Sequence, residues 1–175
     1  EVMVKNTGQG TLFTRLIRTG QPLAGQETAS ASDLKIDVAY KDMKGAAIDP
    51  AALPQGMDFI AEVHVTHPGS RPIRYQELAL SQIFPSGWEI INTRMDNIEA
   101  FAQGSRPDYQ DIRDDRVHTF FGLAERQTET FRVQLNAAYQ GRFYLPAVSC
   151  EAMYDNSINA RAPGRWVEVT APREI

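Results

Sequence analysis

The sequence predicts an all-β protein, an antiparallel two-sheet β-sandwich, and three observations predict it. Apolar and polar residues alternate with period two in run after run. Glycine and proline fall between those runs at near-regular spacing. Helical spacing of apolar residues is nowhere sustained. A chain of 175 residues, 42% of them hydrophobic and 23% charged, is long enough to hold a core without staples and should bury about 70% of its extended surface.

The first clear run is Leu34 to Tyr40, where Leu34, Ile36, Val38 and Tyr40 share one face and Lys35 and Asp37 take the other. Residues 59–65 repeat the pattern more loosely. Segment 75–84 carries Leu78 and Gln82 on one helical stripe, leaving room for one short helix, but it runs into Pro85-Ser86-Gly87 and then Trp88-Glu89-Ile90-Ile91, so a strand is the favoured reading. Residues 93–116 read as the longest irregular stretch, rich in aspartate. After it come an alternating run at Phe131, Val133, Leu135, Ala137 and Tyr139, and looser ones at 117–123 and 165–170. Phe143 to Cys150 reads as a buried strand. No repeat or linker divides the chain, so 1–175 is expected to be a single domain. Because Glu1-Val2-Met3-Val4-Lys5 reads as the middle of a strand, that domain is expected to be a piece of a longer protein.

Charge narrows the partners. With Lys+Arg 18 against Asp+Glu 22 and a net charge of −4, the surface offers no basic stripe for phosphates, which argues against nucleic acid. Cys150 stands alone, so no intrachain disulfide forms and cysteine usage leaves the compartment open. No run approaches the ~20 apolar residues that span a bilayer, and the opening residues lack the layout of a signal peptide.

Candidate chemistry is sparse. A hydrolase would need Cys150 or a serine beside His64, His67 or His118 in a cleft, and no motif supplies that spacing, so no enzyme activity and no cofactor are expected. Cys150 reads as a small buried hydrophobe. His64 and His67 are three apart, a spacing open to a metal only if a turn supports it, and lone surface histidines are the plainer account. Asp108, Asp111, Asp114 and Asp115 lack the register of a calcium loop, and Arg113 and Arg116 among them cancel charge. Trp88 and Trp166 read as core or domain-contact residues. A carbohydrate-binding or surface-adhesion module, the alternative function, needs Trp88 or Trp166 and Tyr109 exposed on one face. Met153 and Tyr154 differ from these: they follow an apolar strand and stand beside turn-forming Asp155-Asn156. Two large apolar groups at a loop tip either fold back on their own core or await a partner.

The stretches Leu78-Ala79-Leu80-Ser81-Gln82-Ile83-Phe84-Pro85-Ser86-Gly87-Trp88-Glu89-Ile90, Asp111-Ile112-Arg113-Asp114-Asp115-Arg116-Val117, Gly141 through Asp155, and Pro163-Gly164-Arg165-Trp166-Val167-Glu168-Val169 resemble the C-terminal macroglobulin domain of bacterial alpha-2-macroglobulins, the counterpart of the receptor-binding domain. The likeness is dense from about residue 75 to 169 and looser before. It implies a macroglobulin-like, immunoglobulin-like sandwich within a protease inhibitor of bacterial defence, in which cleavage of a bait region exposes a thioester that captures the protease. It implies a periplasmic location and a membrane-anchored lipoprotein parent, with the thioester domain and neighbouring macroglobulin domains of the same chain as partners. Proteases would be met only through the full-length protein. The thioester signature, a cysteine followed two residues on by Glu-Gln, is missing: Cys150 is followed by Glu151-Ala152-Met153. By resemblance, Met153 and Tyr154 match the pair that shields the thioester from water, with Asp155 and Asn156 supporting the loop.

Overall fold

The computed structural model describes residues 2–17, 19–20, 22–91 and 104–172. Thirteen strands run in chain order: β1 Ser30–Ser32, β2 Lys35–Asp42, β3 Ala52–Pro54, β4 Asp58–Thr66, β5 Tyr75–Ile83, β6 Trp88–Ile91, β7 Tyr109–Ile112, β8 Arg116–Leu123, β9 Thr128–Ala137, β10 Gly141–Leu145, β11 Val148–Ala152, β12 Asp155–Ala162 and β13 Arg165–Thr170. No helix occurs among the described residues. Segment 75–84 is the strand that its approach to the Pro-Ser-Gly turn favours.

One layer is the four-stranded sheet β2-β4-β9-β6. The other is built from a six-stranded sheet, β1-β12-β11-β5-β8-β7, and a three-stranded one, β10-β13-β3. The pairs β10/β13 and β11/β12 are two lengths of one long hairpin. Pro146 and Pro163-Gly164 interrupt its two arms at matching points, and since proline cannot donate to a ladder, the arms change sheets there. Among the described residues the named strands pair antiparallel except β13 with β3, where Glu168 stands beside Ala52 in parallel register.

Alternation explains the core. Phe59, Ala61, Val63 and Val65 of β4 point inward beside Phe131, Val133, Leu135 and Ala137 of β9. Toward the six-stranded sheet they meet Tyr75, Leu78, Leu80, Phe121, Leu123 and Cys150. Toward the three-stranded sheet they meet Tyr40, Leu53, Trp88, Leu145, Val167 and Val169. Trp88 is 3% exposed, with its ring edge-on to Phe59 at 4.9 Å and to Tyr40 at 6.0 Å, a geometry aromatic quadrupoles favour. Gly87 is required beside it, because a Cβ there would sit 2.3 Å from the Phe143 ring.

Three readings of the sequence need correction. Residues 109–112 of the stretch taken as irregular form an edge strand, β7, paired to β8; its mixed Tyr-Gln-Asp-Ile composition hides the alternation. Positions 93–103 of that stretch lie outside the described residues. Tyr139 does not share the inward face of β9: the strand ends at Ala137, and Tyr139 is exposed with its hydroxyl donating to Glu89 Oε1 at 2.8 Å. His67 is no surface histidine. It is buried and stacked on Tyr75 at 3.8 Å. Its Nδ1 accepts from the Gly69 amide at 3.0 Å and its Nε2 donates to the Ile73 carbonyl at 2.9 Å.

On the outward face of β4, Glu62 is 2% exposed and takes Lys41 Nζ at 2.6 Å, Arg132 Nε at 2.6 Å and His64 Nε2 at 2.9 Å. Burial alone would raise its pKa, but the hydrogen bonds and charges of Lys41 and Arg132 outweigh it and bring the value down to about 2. The unfolded chain, with an ordinary value of 4.5, therefore binds the proton more readily than the folded one. Glu62 accordingly stabilises the fold above pH ~4.5, and that contribution fades between there and pH ~2, amounting to about 3 kcal/mol at full extent. Urea unfolding of the native chain and of Glu62→Gln across pH 5 to 2 should show the native midpoint falling more steeply. Parallel curves would show that Glu62 does not carry this acid sensitivity.

Candidate functional site

Strands β11 and β12 form a hairpin whose reversal falls on Met153 and Tyr154, with Ala152 opposite Asp155. This corrects the placing of the turn at Asp155-Asn156: both residues belong to β12. The register explains why they read as a turn. Glu151 pairs with Asn159 while the next residue, Ala152, pairs with Asp155, so Asn156, Ser157 and Ile158 form a wide irregularity in the ladder. Ile158 turns inward there and is buried.

The tip stands clear of its own sandwich. Tyr154 is 84% exposed and Met153 49%, so neither folds back on the core. What holds them is polar and lies beneath. The Met153 amide donates to the Glu77 carbonyl at 2.9 Å. Glu77 itself has φ 53, within a register break of β5 between Tyr75 and Leu78, a left-handed conformation that costs a glutamate free energy. Asp155 Oδ1 accepts from the Ser157 amide at 3.0 Å and from the Ser157 hydroxyl. Its Oδ2 accepts from Arg71 Nη1 at 3.1 Å. The Ser157 hydroxyl and amide, then Arg71, hold the Asp155 carboxyl below its ordinary pKa. Arg71 Nη2 also meets Asp33 Oδ2 at 2.7 Å and Ser157 Oγ at 2.8 Å. Asn156 contributes through its carbonyl, which accepts from Asn159 Nδ2 at 2.9 Å.

Sequence reasoning named Met153, Tyr154, Asp155 and Asn156, and did not name Arg71, which the structure places against Asp155. An arginine in a Gly-Ser-Arg-Pro loop carries no local signal of the strand it reaches. The loop is fixed by His67 at one end and Tyr75 at the other, the same pair that stacks in the core. Tip and core are thereby joined through the loop that carries Arg71.

Other candidate chemistry is poorly assembled. Cys150 is buried in β11, and burial pushes its thiol up to about 12. Ser81 Oγ and His118 Nδ1 lie 2.9 Å apart, with Asp111 opposite His118 in the next strand. That is the hydrogen-bond reach a hydrolase requires. However, these residues lie on the outward face of the six-stranded sheet. Asp111 is engaged by Arg113 at 3.0 Å, and β5 and β8 are each paired on both sides, which commits the amides an oxyanion would need. Among the described residues no three His, Cys, Asp or Glu side chains are grouped to hold a metal ion. His64 is spent on Glu62 and Thr130. Asp111 and Asp115 pair with Arg113 and Arg116. The aromatic platform of a glycan module is not formed either: Trp88 is buried, Tyr109 lies on β7 of the six-stranded sheet and Trp166 on β13 of the other, where Arg142 covers its ring at 4.8 Å.

The family model for the bacterial alpha-2-macroglobulin MG10 domain matches residues 34–156. An alpha-2-macroglobulin homolog of Yersinia pestis is 26% identical over 178 residues, covering 90% of this chain and 9% of its own. The chain thus spans about a tenth of that relative's length. Two solved structures share the fold. Native alpha-2-macroglobulin from Escherichia coli, spanning domain MG7 to the C-terminus, superposes with a TM-score of 0.73 at 18% identity, over 85% of this chain and 25% of that one. Salmonella alpha-2-macroglobulin reacted with methylamine gives 0.71 at 19% identity, over 82% and 10%.

With the Cys150 thiol held in the core, Ellman's reagent at pH 8 should find no reactive thiol in the folded chain and one per chain once urea passes the unfolding midpoint. Prompt titration of the folded chain would show that β11 opens locally.

Proposed function

The chain belongs to the bacterial alpha-2-macroglobulin MG10 domain family, and from that premise we propose that it is the non-catalytic C-terminal macroglobulin domain of a larger protease inhibitor, docking on a neighbouring thioester domain through Met153 and Tyr154 and shielding the thioester until the bait is cut. The observation that carries this reading is the exposed apolar pair at the end of a pinned hairpin. The same reading makes the parent a periplasmic, membrane-anchored lipoprotein of bacterial defence.

A thioester hydrolyses slowly in water and reacts faster with amines, so a shield must be apolar and close-fitting. Tyrosine has about 150–250 Å² to bury, and at ~25 cal/mol per Å² that is worth at most about 4–6 kcal/mol. Ordering and docking costs reduce it. A residual of about 3 kcal/mol would keep the open population under ~1%. That is firm enough to protect the bond and weak enough to be undone by a rearrangement of the parent chain. The relative crystallised after reaction with methylamine suggests the assay.

Full-length protein carrying Tyr154→Ala should take up methylamine before any protease is added, at a rate raised at least ~10-fold, which corresponds to ~1.4 kcal/mol of lost shielding. Methylamine uptake unchanged from the native protein would remove the shielding role from Tyr154.

A further inference from the structure

Backbone strain in this molecule is gathered around one loop. Among the described residues three other than glycine have positive φ: Asp33 at 52°, Glu77 at 53° and Arg126 at 60°. That conformation costs an L side chain free energy and persists where neighbours sustain it. All three bear on the 68–74 loop or on the hairpin tip beside it. The Glu77 carbonyl takes the Met153 amide. The Arg126 side chain lies along Gly69, where a Cβ would sit 2.9 Å from its Cγ. Asp33, between β1 and β2, accepts from Ser70 Oγ at 2.6 Å through Oδ1 and meets Arg71 Nη2 at 2.7 Å through Oδ2. The other end of the Arg71 guanidinium, Nη1, reaches Asp155 Oδ2 at 3.1 Å.

We propose that Arg71 is a positioning residue for the shield: its guanidinium joins Asp33 to Asp155 and so sets the direction in which Tyr154, the residue before Asp155, meets the thioester domain. The inference rests on the shielding role proposed above. Two physical points carry it. Asp33, Arg71 and Asp155 keep a quarter to a half of their side chains in solvent, and ion pairs so exposed add little to global stability. The arrangement therefore matters more to geometry than to folding. A guanidinium fork fixes direction as well as charge, and this one ties three segments remote in sequence at a point one residue from Tyr154. The second point is charge, because Arg71 is one cation between two carboxylates. The Ser70 hydroxyl, and Arg71 with it, hold the Asp33 carboxyl below its ordinary pKa, while the Asp155 charge works against them. With the guanidinium gone, the two carboxylates face each other with no cation between them. Their repulsion would turn Asp155, and Tyr154 with it, away from Asp33.

Methylamine uptake by the full-length protein before any protease is added tests this. Arg71→Gln should raise the rate roughly 3- to 10-fold, and Arg71→Lys, which keeps the charge and loses the fork, should raise it less. Asp33→Asn added to Arg71→Gln removes the repulsion and should bring the rate back down, since asparagine also tolerates the left-handed backbone. Hydrogen exchange in the same proteins should leave the amides of β4 and β9 as protected as in the native protein, while the Met153 amide exchanges faster. In a Tyr154→Ala background Arg71→Gln should add nothing, because the side chain it aims is gone. Uptake unchanged by Arg71→Gln while Tyr154→Ala raises it would overturn the positioning role and leave the shield standing. An equal factor with and without Tyr154 would put the effect of Arg71 elsewhere. Loss of β4 and β9 protection in both Arg71→Gln and Arg71→Lys would make Arg71 structural only. Uptake unchanged by Tyr154→Ala would remove the shield itself, and the positioning role with it.

Discussion

Every other element depends on the burial of one face, the inner side of the β4–β9 pair. Strand β4 is nine residues long, about 30 Å at the usual rise. Phe59 and Ala61 lie in one apolar cluster, while Val63 and Val65 lie in the other. No single flat sheet covers a face of that length, because strands twist relative to one another. The opposing layer solves this by breaking: the long hairpin changes sheets at Pro146 and Pro163-Gly164. Its far half, β11 and β12, is thereby carried to the end of the sandwich where the candidate site lies. The position of Tyr154 is thus a consequence of core coverage.

This dependence explains what was legible in the sequence. Strands β2 and β9, which bury one face and wet the other, showed their period-two pattern, β8 and β13 showed it more loosely, and β5 was recognisable by the turn it enters. Strand β4 read only loosely, since its outward face carries buried Ile60 and Glu62 and so loses the polar half of the pattern. Edge strand β7 was missed for the opposite reason, having too little apolar content to alternate. The parallel contact of β3 with β13 joins residues more than a hundred positions apart, and no local rule reports such a pairing. At the site, the apolar pair stood out because it violates expectation for a turn. Arg71 did not, since its meaning lies in the two aspartates it reaches, Asp33 and Asp155, which are far from it in sequence.

The local chemistry of the tip is unfavourable for a hairpin turn, and that bears on its role. Two-residue hairpin turns favour Asn-Gly or Asp-Gly, because the turns that match strand twist need positive φ. Met153 and Tyr154 are not among the positive-φ residues, so their turn opposes the twist of the strands it joins. The ladder absorbs the mismatch in the irregularity at Asn156–Ile158, and the Met153–Glu77 and Asp155–Arg71 contacts fix the result. A sequence selected only for a stable hairpin would place small turn formers there. Where local preference is overridden and the neighbours are arranged to sustain the override, the side chains concerned are the reason for it. At this tip they are two large apolar groups in solvent, which the isolated sandwich gains nothing by displaying. The docking proposed for the pair is the use that this exposure would serve, with the strained turn and its polar supports holding both side chains ready for it.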